Sequence, residues 1–258
     1  MDTSFLISQG GLTTHCILTQ PEGSPVRRIV LGVHGLGGST QDDIQRSLAE
    51  EMSLFDSVVF RFDLPCHGDS PMDGDAFTLK NCMQSLLDTA REAKRRFPEI
   101  NDLCIFASGF GAYVTLAAMD QLLALPGAIR LVVQTPSVRM DLTILSMLRI
   151  SRETLWAMDR YVLNVPRPLP ITYAFYEELV DHFVINPCPI PMLILHGEED
   201  SFIRMADVRA LRGVNENSRL VIIPGTSHRF LEDGAWDMVL DLTRDWFEFQ
   251  QVLLCDWE

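Results

Sequence analysis

The residues of this chain best suited to chemistry are a loop histidine, a cluster of acids and two glycine-rich turns. His228 lies in "IPGTSHRF", Ile223–Phe230, between an apolar run and the last helical stretch. A histidine so placed can act as a general base, because its charge changes near neutral pH. Upstream, "LILHGEED", Leu193–Asp200, is an apolar run ending in Glu198, Glu199 and Asp200. A carboxylate just past a strand end can orient a histidine and stabilise its charged form. Taken singly, each of these is also what a solvated loop looks like.

Three further stretches bear on the same chemistry. "VHGLGGS", Val33–Ser39, ends an apolar run in a glycine-rich loop. Such a loop bends tightly and aims backbone N–H groups, here that of Leu36, where a developing oxyanion would sit. "IFASGFGAY", Ile105–Tyr113, reads as the sharp turn that presents a nucleophile, and it contains one hydroxyl, Ser108. "FDLPCHGDS", Phe62–Ser70, holds His67 and Asp69. No second histidine or carboxylate pair stands at ligand spacing, so the stretch is expected to be a structural loop and no metal is expected.

These stretches need strands and helices to position them. "CILTQ", "RIVLGVHG", "SVVFRFDL", "LCIFAS", "RLVVQ", "MLILHG" and "RLVIIPG" are short, mostly continuous apolar runs. Such runs suit strands covered on both faces, as in a parallel sheet. Between them, Leu79, Met83, Leu86, Ala90, Ala93 and Phe97 recur at helical spacing. "FGAYVTLAAMDQLLA" and "GAWDMVLDLTRDWFEFQQ" read as two more helices. The alternation predicts a doubly wound α/β sheet with its sites at the strand C-terminal ends. Residues 138–187 break the rhythm. They contain no clear strand and read as two or three helices around a turn at Pro166, Pro168 and Pro170. A structureless loop that long is improbable, so a helical cap insertion is expected. Its Leu142, Leu145, Leu148, Leu155, Trp156 and Met158 would either line a pocket or pack the cap onto the sheet.

The bulk properties narrow the partners. At 258 residues the chain suits one α/β domain, 1–258. A formal net charge of −14 argues against nucleic acid and against an anionic membrane surface. No apolar run approaches the ~20 residues of a membrane span, and the N-terminus shows no secretion signal. Six scattered cysteines (Cys16, Cys66, Cys82, Cys104, Cys188, Cys255) include no CxxC pair. They suit free thiols in a reducing compartment. A cytoplasmic location is therefore expected.

Taken together, "HGLGG", "DLPCHGDS", "HGEED" and "GTSH" fall in an order that resembles the α/β-hydrolase superfamily over nearly the whole chain. The "DLPCHGDS" loop and the helical insertion resemble its cinnamoyl/feruloyl-esterase-like and serine-aminopeptidase-like branch, which overlaps with monoacylglycerol-lipase-like enzymes. That resemblance implies an α/β-hydrolase fold and cofactor-free hydrolysis of acyl esters. By position it implies Asp200 as acid, His228 as base, and the N–H groups of Leu36 and Phe110 as the oxyanion hole. The ligand it implies is a small acyl ester or similar apolar molecule.

At the nucleophile the resemblance breaks. The family's elbow runs small, any, nucleophile, any, small. A nucleophile at Ser108 would put Phe106 and Phe110 in the two tight positions. A nucleophile position at Gly109 puts Ala107 and Gly111 there instead. Gly109 therefore stands at the nucleophile position, and Ser108 is the alternative. Glycine relieves the strain that a positive φ imposes on other residues at such a turn, about 1–3 kcal/mol. The expected protein is an esterase-type hydrolase that is weak or inactive as written. The alternatives are a binder or scaffold on a hydrolase fold, or an esterase using Ser108 or water activated by His228. Keeping "HGLGG", Asp200 and His228 together favours an enzyme or a recent loss.

Overall fold

The computed structural model describes residues 2–23 and 25–250. The chain opens with a hairpin, β1 (Asp2–Gln9) and β2 (Leu12–Thr19), followed by β3 (Arg28–Val33), α1 (Asp43–Leu54) and β4 (Ser57–Phe62). Next come α2 (Leu79–Arg96), β5 (Asp102–Ser108), α3 (Phe110–Ala117), α4 (Met119–Leu123) and β6 (Ala128–Gln134). The segment after β6 carries α5 (Met140–Leu148), α6 (Arg152–Met158), β7 (Arg160–Leu163), β8 (Leu169–Thr172) and α7 (Tyr173–Asp181). The chain then adds β9 (Met192–Gly197), α8 (Met205–Gly213), β10 (Arg219–Ile223) and α9 (Ala235–Phe249).

Eight strands form one sheet in the order β1-β2-β4-β3-β5-β6-β9-β10. β1 and β2 pair antiparallel, as do β2 and β4, and every other neighbour is parallel. Alternation along each central strand separates two cores. Val30, Val59, Phe106, Val132 and Leu193 pack with residues of α1 and α9. Ile29, Leu31, Phe60, Ile105 and Leu131 pack with residues of α2 and α3. Strands buried on both faces read as continuous apolar runs, which is why these were visible as a pattern.

Three elements differ from expectation. β1 was not anticipated: it is an edge strand with most residues exposed, and only Phe5 and Ile7 pack against the core. A strand that buries so little leaves a weak apolar signal. The helix expected over "FGAYVTLAAMDQLLA" ends at Ala117 and restarts at Met119. Residues 138–187 do carry three helices, but they also contain a hairpin, with Arg160↔Thr172 through Leu163↔Leu169 in register. Four-residue strands are too short for periodicity to show. Pro170 is tolerated because a two-stranded ribbon has only edges.

A buried carboxylate ties the loops together beneath the site. Asp63, at the end of β4, accepts hydrogen bonds from the backbone N–H of Thr40 (2.8 Å) and of Asp69 (3.1 Å). His15 Nδ1 on β2 donates to the same carboxylate at 2.7 Å. Arg167 of the segment after β6 donates to the carbonyls of Ser70 (2.7 Å), Met72 (3.0 Å) and Gly68 (3.1 Å). That clamps the segment onto the "DLPCHGDS" loop. The cysteines are free thiols, with Cys16, Cys66, Cys82 and Cys104 buried and Cys188 partly so. Cys255 lies outside the described residues. Burial pushes the thiols of Cys16 and Cys104 up to about 12 and that of Cys66 to about 11, so none of these three is a ready nucleophile. Asp63→Ala is expected to cost about 2–4 kcal/mol of unfolding free energy, since it removes a buried carboxylate and strands a partly buried histidine and two N–H donors. Urea denaturation measures this.

Candidate active site

The strand β5 runs out at Ser108, and α3 begins at Phe110. Gly109 is the whole connection. Its φ of 50° and ψ of −112° lie in a region that residues with a Cβ rarely adopt. Its N–H donates to the Gln134 carbonyl at 2.9 Å, and its own carbonyl accepts from Tyr113 and Ser137. A Cβ built on Gly109 would meet only the Cα of Gly35, at 3.9 Å. Two residues on, a Cβ on Gly111 would lie 2.4 Å from the His34 carbonyl oxygen and 2.6 Å from that of Val33. The tight approach of helix to strand therefore falls at Gly111. Phe110, next to it, has room for a full aromatic ring against Phe77, Phe175 and Tyr113.

Ser108 sits on the strand, paired with Gln134 of β6. Its hydroxyl donates to Gln134 Oε1 at 2.8 Å. Gln134 was not singled out from the sequence. The one signal was a polar residue closing the apolar run "RLVVQ".

His228 and Asp200, 28 residues apart, meet at 2.8 Å between Nδ1 and Oδ2. Asp200 is fully buried at its side chain. Its other oxygen accepts from the backbone N–H groups of Phe202 (2.8 Å) and Ile203 (2.9 Å). Burial works against ionisation, but the His228 hydrogen bond and charge together with the two N–H donors outweigh it. They hold this carboxyl below its ordinary 3.8. An ionised carboxylate only accepts, so His228 Nδ1 is the donor of this bond, and Nε2 has no partner among the described residues. Of the other two acids, Glu198 accepts from the Gly225 N–H and Glu199 is exposed. Neither takes part in the pair. His196 lies behind it, buried and with Nδ1 3.8 Å from Asp200 Oδ2, and burial favours its neutral form.

The loop from "VHGLGGS" is held by its histidine. Leu64 N–H donates to His34 Nε2 at 3.0 Å, so the proton is on Nδ1, which donates to the Gly35 carbonyl at 2.8 Å. The N–H groups of Leu36 and Phe110 have no acceptor among the described residues. Leu36, Gly109, Phe110, Ser108 and His228 all line one cleft of about 660 Å³. The segment after β6 lends the cleft Met140, Thr143, Met147, Val165 and Pro166. It does not lend the six apolar residues weighed from the sequence. Leu148 and Leu155 are core, Leu145 packs against it, and Leu142, Trp156 and Met158 are exposed. α5 turns the face bearing Met140, Thr143 and Met147 to the cleft, and only tertiary packing selects that face.

His67 is buried against His34 at 5.1 Å between ring centroids, and burial pushes it down to about 3. His15, Asp63 and Asp69 cluster with side-chain atoms within 4.8 Å, which sequence spacing did not anticipate. The hydrogen bonds from His15, Thr40 and the Asp69 backbone already occupy both Asp63 oxygens.

Two outcomes follow from this geometry. Gly111→Ala is expected to cost about 3 kcal/mol or more, because backbone has to move, while Gly109→Ala costs about 1–3 kcal/mol from its φ alone. Comparing their urea midpoints locates the tight position. Asp200 is held low, so its contribution to stability is present above 3.8 and is lost as pH falls through its folded value. Asp200→Asn is therefore expected to lose less stability than the parent between roughly pH 5 and pH 2 in the same titration.

Comparison with solved structures returns the same fold. Est1E from Butyrivibrio proteoclasticus, solved with ferulic acid bound, is 17% identical, with 97% of this chain and 100% of that chain covered and a TM-score of 0.81. Alpha/beta hydrolase domain-containing protein 10 from mouse is 13% identical over 96% of this chain and 100% of that chain, with a TM-score of 0.76. An alpha-beta serine hydrolase homologue from Coxiella burnetii is 19% identical over 93% and 95%, with a TM-score of 0.63. At these identities the likeness is one of fold. No curated protein matches the sequence. Residues 30–242 match the family model described as the alpha/beta hydrolase family. The chain is a member of the α/β-hydrolase family.

Proposed function

We propose that this protein is a carboxylesterase-type hydrolase whose nucleophile position is held by Gly109, leaving it weak or inactive toward acyl esters. The observation that carries this reading is the pairing of Gly109's positive φ with the backbone contact at Gly111. That combination belongs to a nucleophile turn two residues before its tight point. Asp200 orients His228 as base, and the N–H groups of Leu36 and Phe110 receive the oxyanion. Residues 138–187 act as a cap that supplies part of the acyl wall. Est1E's bound ferulic acid supports an apolar acyl group as ligand.

Without a side-chain oxygen at position 109 the acyl-enzyme route is closed. Water activated by His228 remains, and in serine hydrolases the rest of the machinery alone sustains roughly 10³–10⁴-fold over the uncatalysed rate. Ser108 is disfavoured as nucleophile because its hydroxyl is engaged by Gln134 on β6. A non-catalytic binder is the second reading, favoured by the same glycine beneath an intact cleft.

The test is p-nitrophenyl ester turnover and fluorophosphonate labelling of the parent, Ser108→Ala and Gly109→Ser. The parent is expected to be unlabelled. Gly109→Ser is expected to become labelled and to gain at least about a hundredfold in kcat/KM, about 3 kcal/mol of transition-state stabilisation. Labelling of the parent that disappears in Ser108→Ala would make Ser108 the nucleophile. A folded but inert Gly109→Ser would favour the binder.

A further inference from the structure

We infer that the end of β6, Gln134 with Thr135, is a separate polar contact point in the cleft. It selects acyl groups that carry a neutral hydroxyl within a few atoms of the carbonyl. That the acyl carbonyl lies at Gly109 rests on the hydrolase reading; the contact point itself does not.

Two consecutive residues there are polar, buried and incompletely paired. Gln134 is 3% exposed and Thr135 2%, yet both line the cleft. Gln134 accepts from the Ser108 hydroxyl at Oε1, 2.8 Å away, and its Nε2 has no acceptor among the described residues. Thr135 donates its backbone N–H to the Leu195 carbonyl at 2.8 Å, and its hydroxyl has no partner among the described residues. Neither side-chain atom is sealed within protein, so both meet the open cleft. Buried polar groups are ordinarily hydrogen-bonded, and here the missing partners can come only from what fills the cleft.

The backbone is bent to bring both side chains to one wall. Successive side chains of a strand point to opposite faces. Val132 and Val133 obey this and pack into different cores. Gln134 and Thr135 do not, because the alternation breaks at Thr135, whose φ is 42°. Thr135 is β-branched and precedes Pro136, and both features favour extended backbone. The outlier is held from two sides. The Gly109 N–H donates to the Gln134 carbonyl at 2.9 Å, and the Leu195 carbonyl of β9 fixes Thr135. Strain that is over-determined in this way gathers where a protein meets its ligand.

The chemistry on offer is neutral and two-way. Gln134 Nε2 only donates, and the Thr135 hydroxyl donates or accepts. Ser108 Oγ has given its proton to Gln134 and is left as an acceptor on the same wall. A ligand hydroxyl satisfies this set in both directions, accepting from Nε2 and donating to Ser108 or Thr135. A plain hydrocarbon chain leaves the set unpaired, and that difference is the ground for selection. Connectivity places the contact along the ligand. The Gln134 carbonyl holds the Gly109 N–H, so the contact lies beside the turn. Met140 and Met147, further along the chain, line the cleft for the apolar remainder.

The test titrates the full chain calorimetrically with methyl 2-hydroxyhexanoate, methyl 3-hydroxyhexanoate and methyl hexanoate. The better hydroxy ester is expected to bind about tenfold or more tightly than methyl hexanoate. Gln134→Met and Thr135→Val keep the size of each side chain and remove its polar atom. Each is expected to cut that preference about fivefold or more and to leave methyl hexanoate within about twofold. Thr135→Ser, which keeps the hydroxyl, is expected to keep the preference within about twofold. Thermal melts establish that each variant is folded, and if Gln134→Met is not, the two Thr135 variants decide. Equal affinity for the three esters overturns the inference, as does a hydroxy ester that fails to bind. A preference unchanged in folded Thr135→Val, or lost equally in Thr135→Ser, overturns it too. Fluorophosphonate labelling of Gly109→Ser separates the two readings. A labelled variant whose parent shows no hydroxyl preference sinks the contact point and leaves the hydrolase reading standing. Hydroxyl-selective binding that depends on Thr135, with no labelling in Gly109→Ser, sinks the hydrolase reading and leaves the contact point standing.

Discussion

Everything at this site depends on how closely α3 approaches the end of β3. Gly111 faces the carbonyls of Val33 and His34 at a distance no Cβ can share. Because that contact fixes the helix against the sheet, the turn before it has one residue in which to reverse direction. That residue is Gly109, with φ 50°. The same contact sets the "VHGLGGS" loop beside the turn, so Leu36 and Phe110 line one cleft. A strained turn persists where surrounding packing over-determines it, and the packing here is backbone against backbone.

The remaining parts are held from the other side of the sheet's C-terminal edge. β9 and β10 deliver Asp200 and His228, and the two loops close on each other. The Glu199 N–H donates to Thr226 and the Glu198 N–H to Ile223, so the acid and histidine loops are laced by backbone before any side chain meets. Asp63 does the equivalent work beneath the first loop, joining β2, β4 and the entry to α1. The side chains proposed to act on a ligand are thus carried on a frame that does not depend on them. That frame explains how the arrangement around Gly109 can hold whatever side chain stands at that turn.

Much of the fold was legible because parallel strands bury both faces and so read as apolar runs. The runs at Arg28–Val33, Ser57–Phe62, Asp102–Ser108 and Met192–Gly197 all became strands. What escaped notice buried little or was too short. β1 packs only Phe5 and Ile7 inward, and β7 and β8 have four residues each. The cleft wall escaped for another reason. α5 is apolar nearly all round, so its sequence holds no preferred face, and Met140, Thr143 and Met147 were chosen over Leu142 and Leu145 by what packs behind them.

By itself the sequence determined the α/β class, the order of the four motifs, and the place of Gly109 in the turn before Gly111. In that turn, side-chain size alone separates Ala107 and Gly111 from Phe106 and Phe110. Residue type and spacing left three neighbouring acids open, and only the resemblance pointed to Asp200; tertiary structure decided how Asp200 reaches His228, where Ser108 spends its hydrogen bond, and which face of the inserted segment meets the cleft. Each of those is a question of direction. Residue type and spacing say what a group can do, but aim is set by long-range contacts: β9 beside β10 for Asp200, β5 beside β6 for Ser108, and α5 against the core for Met147.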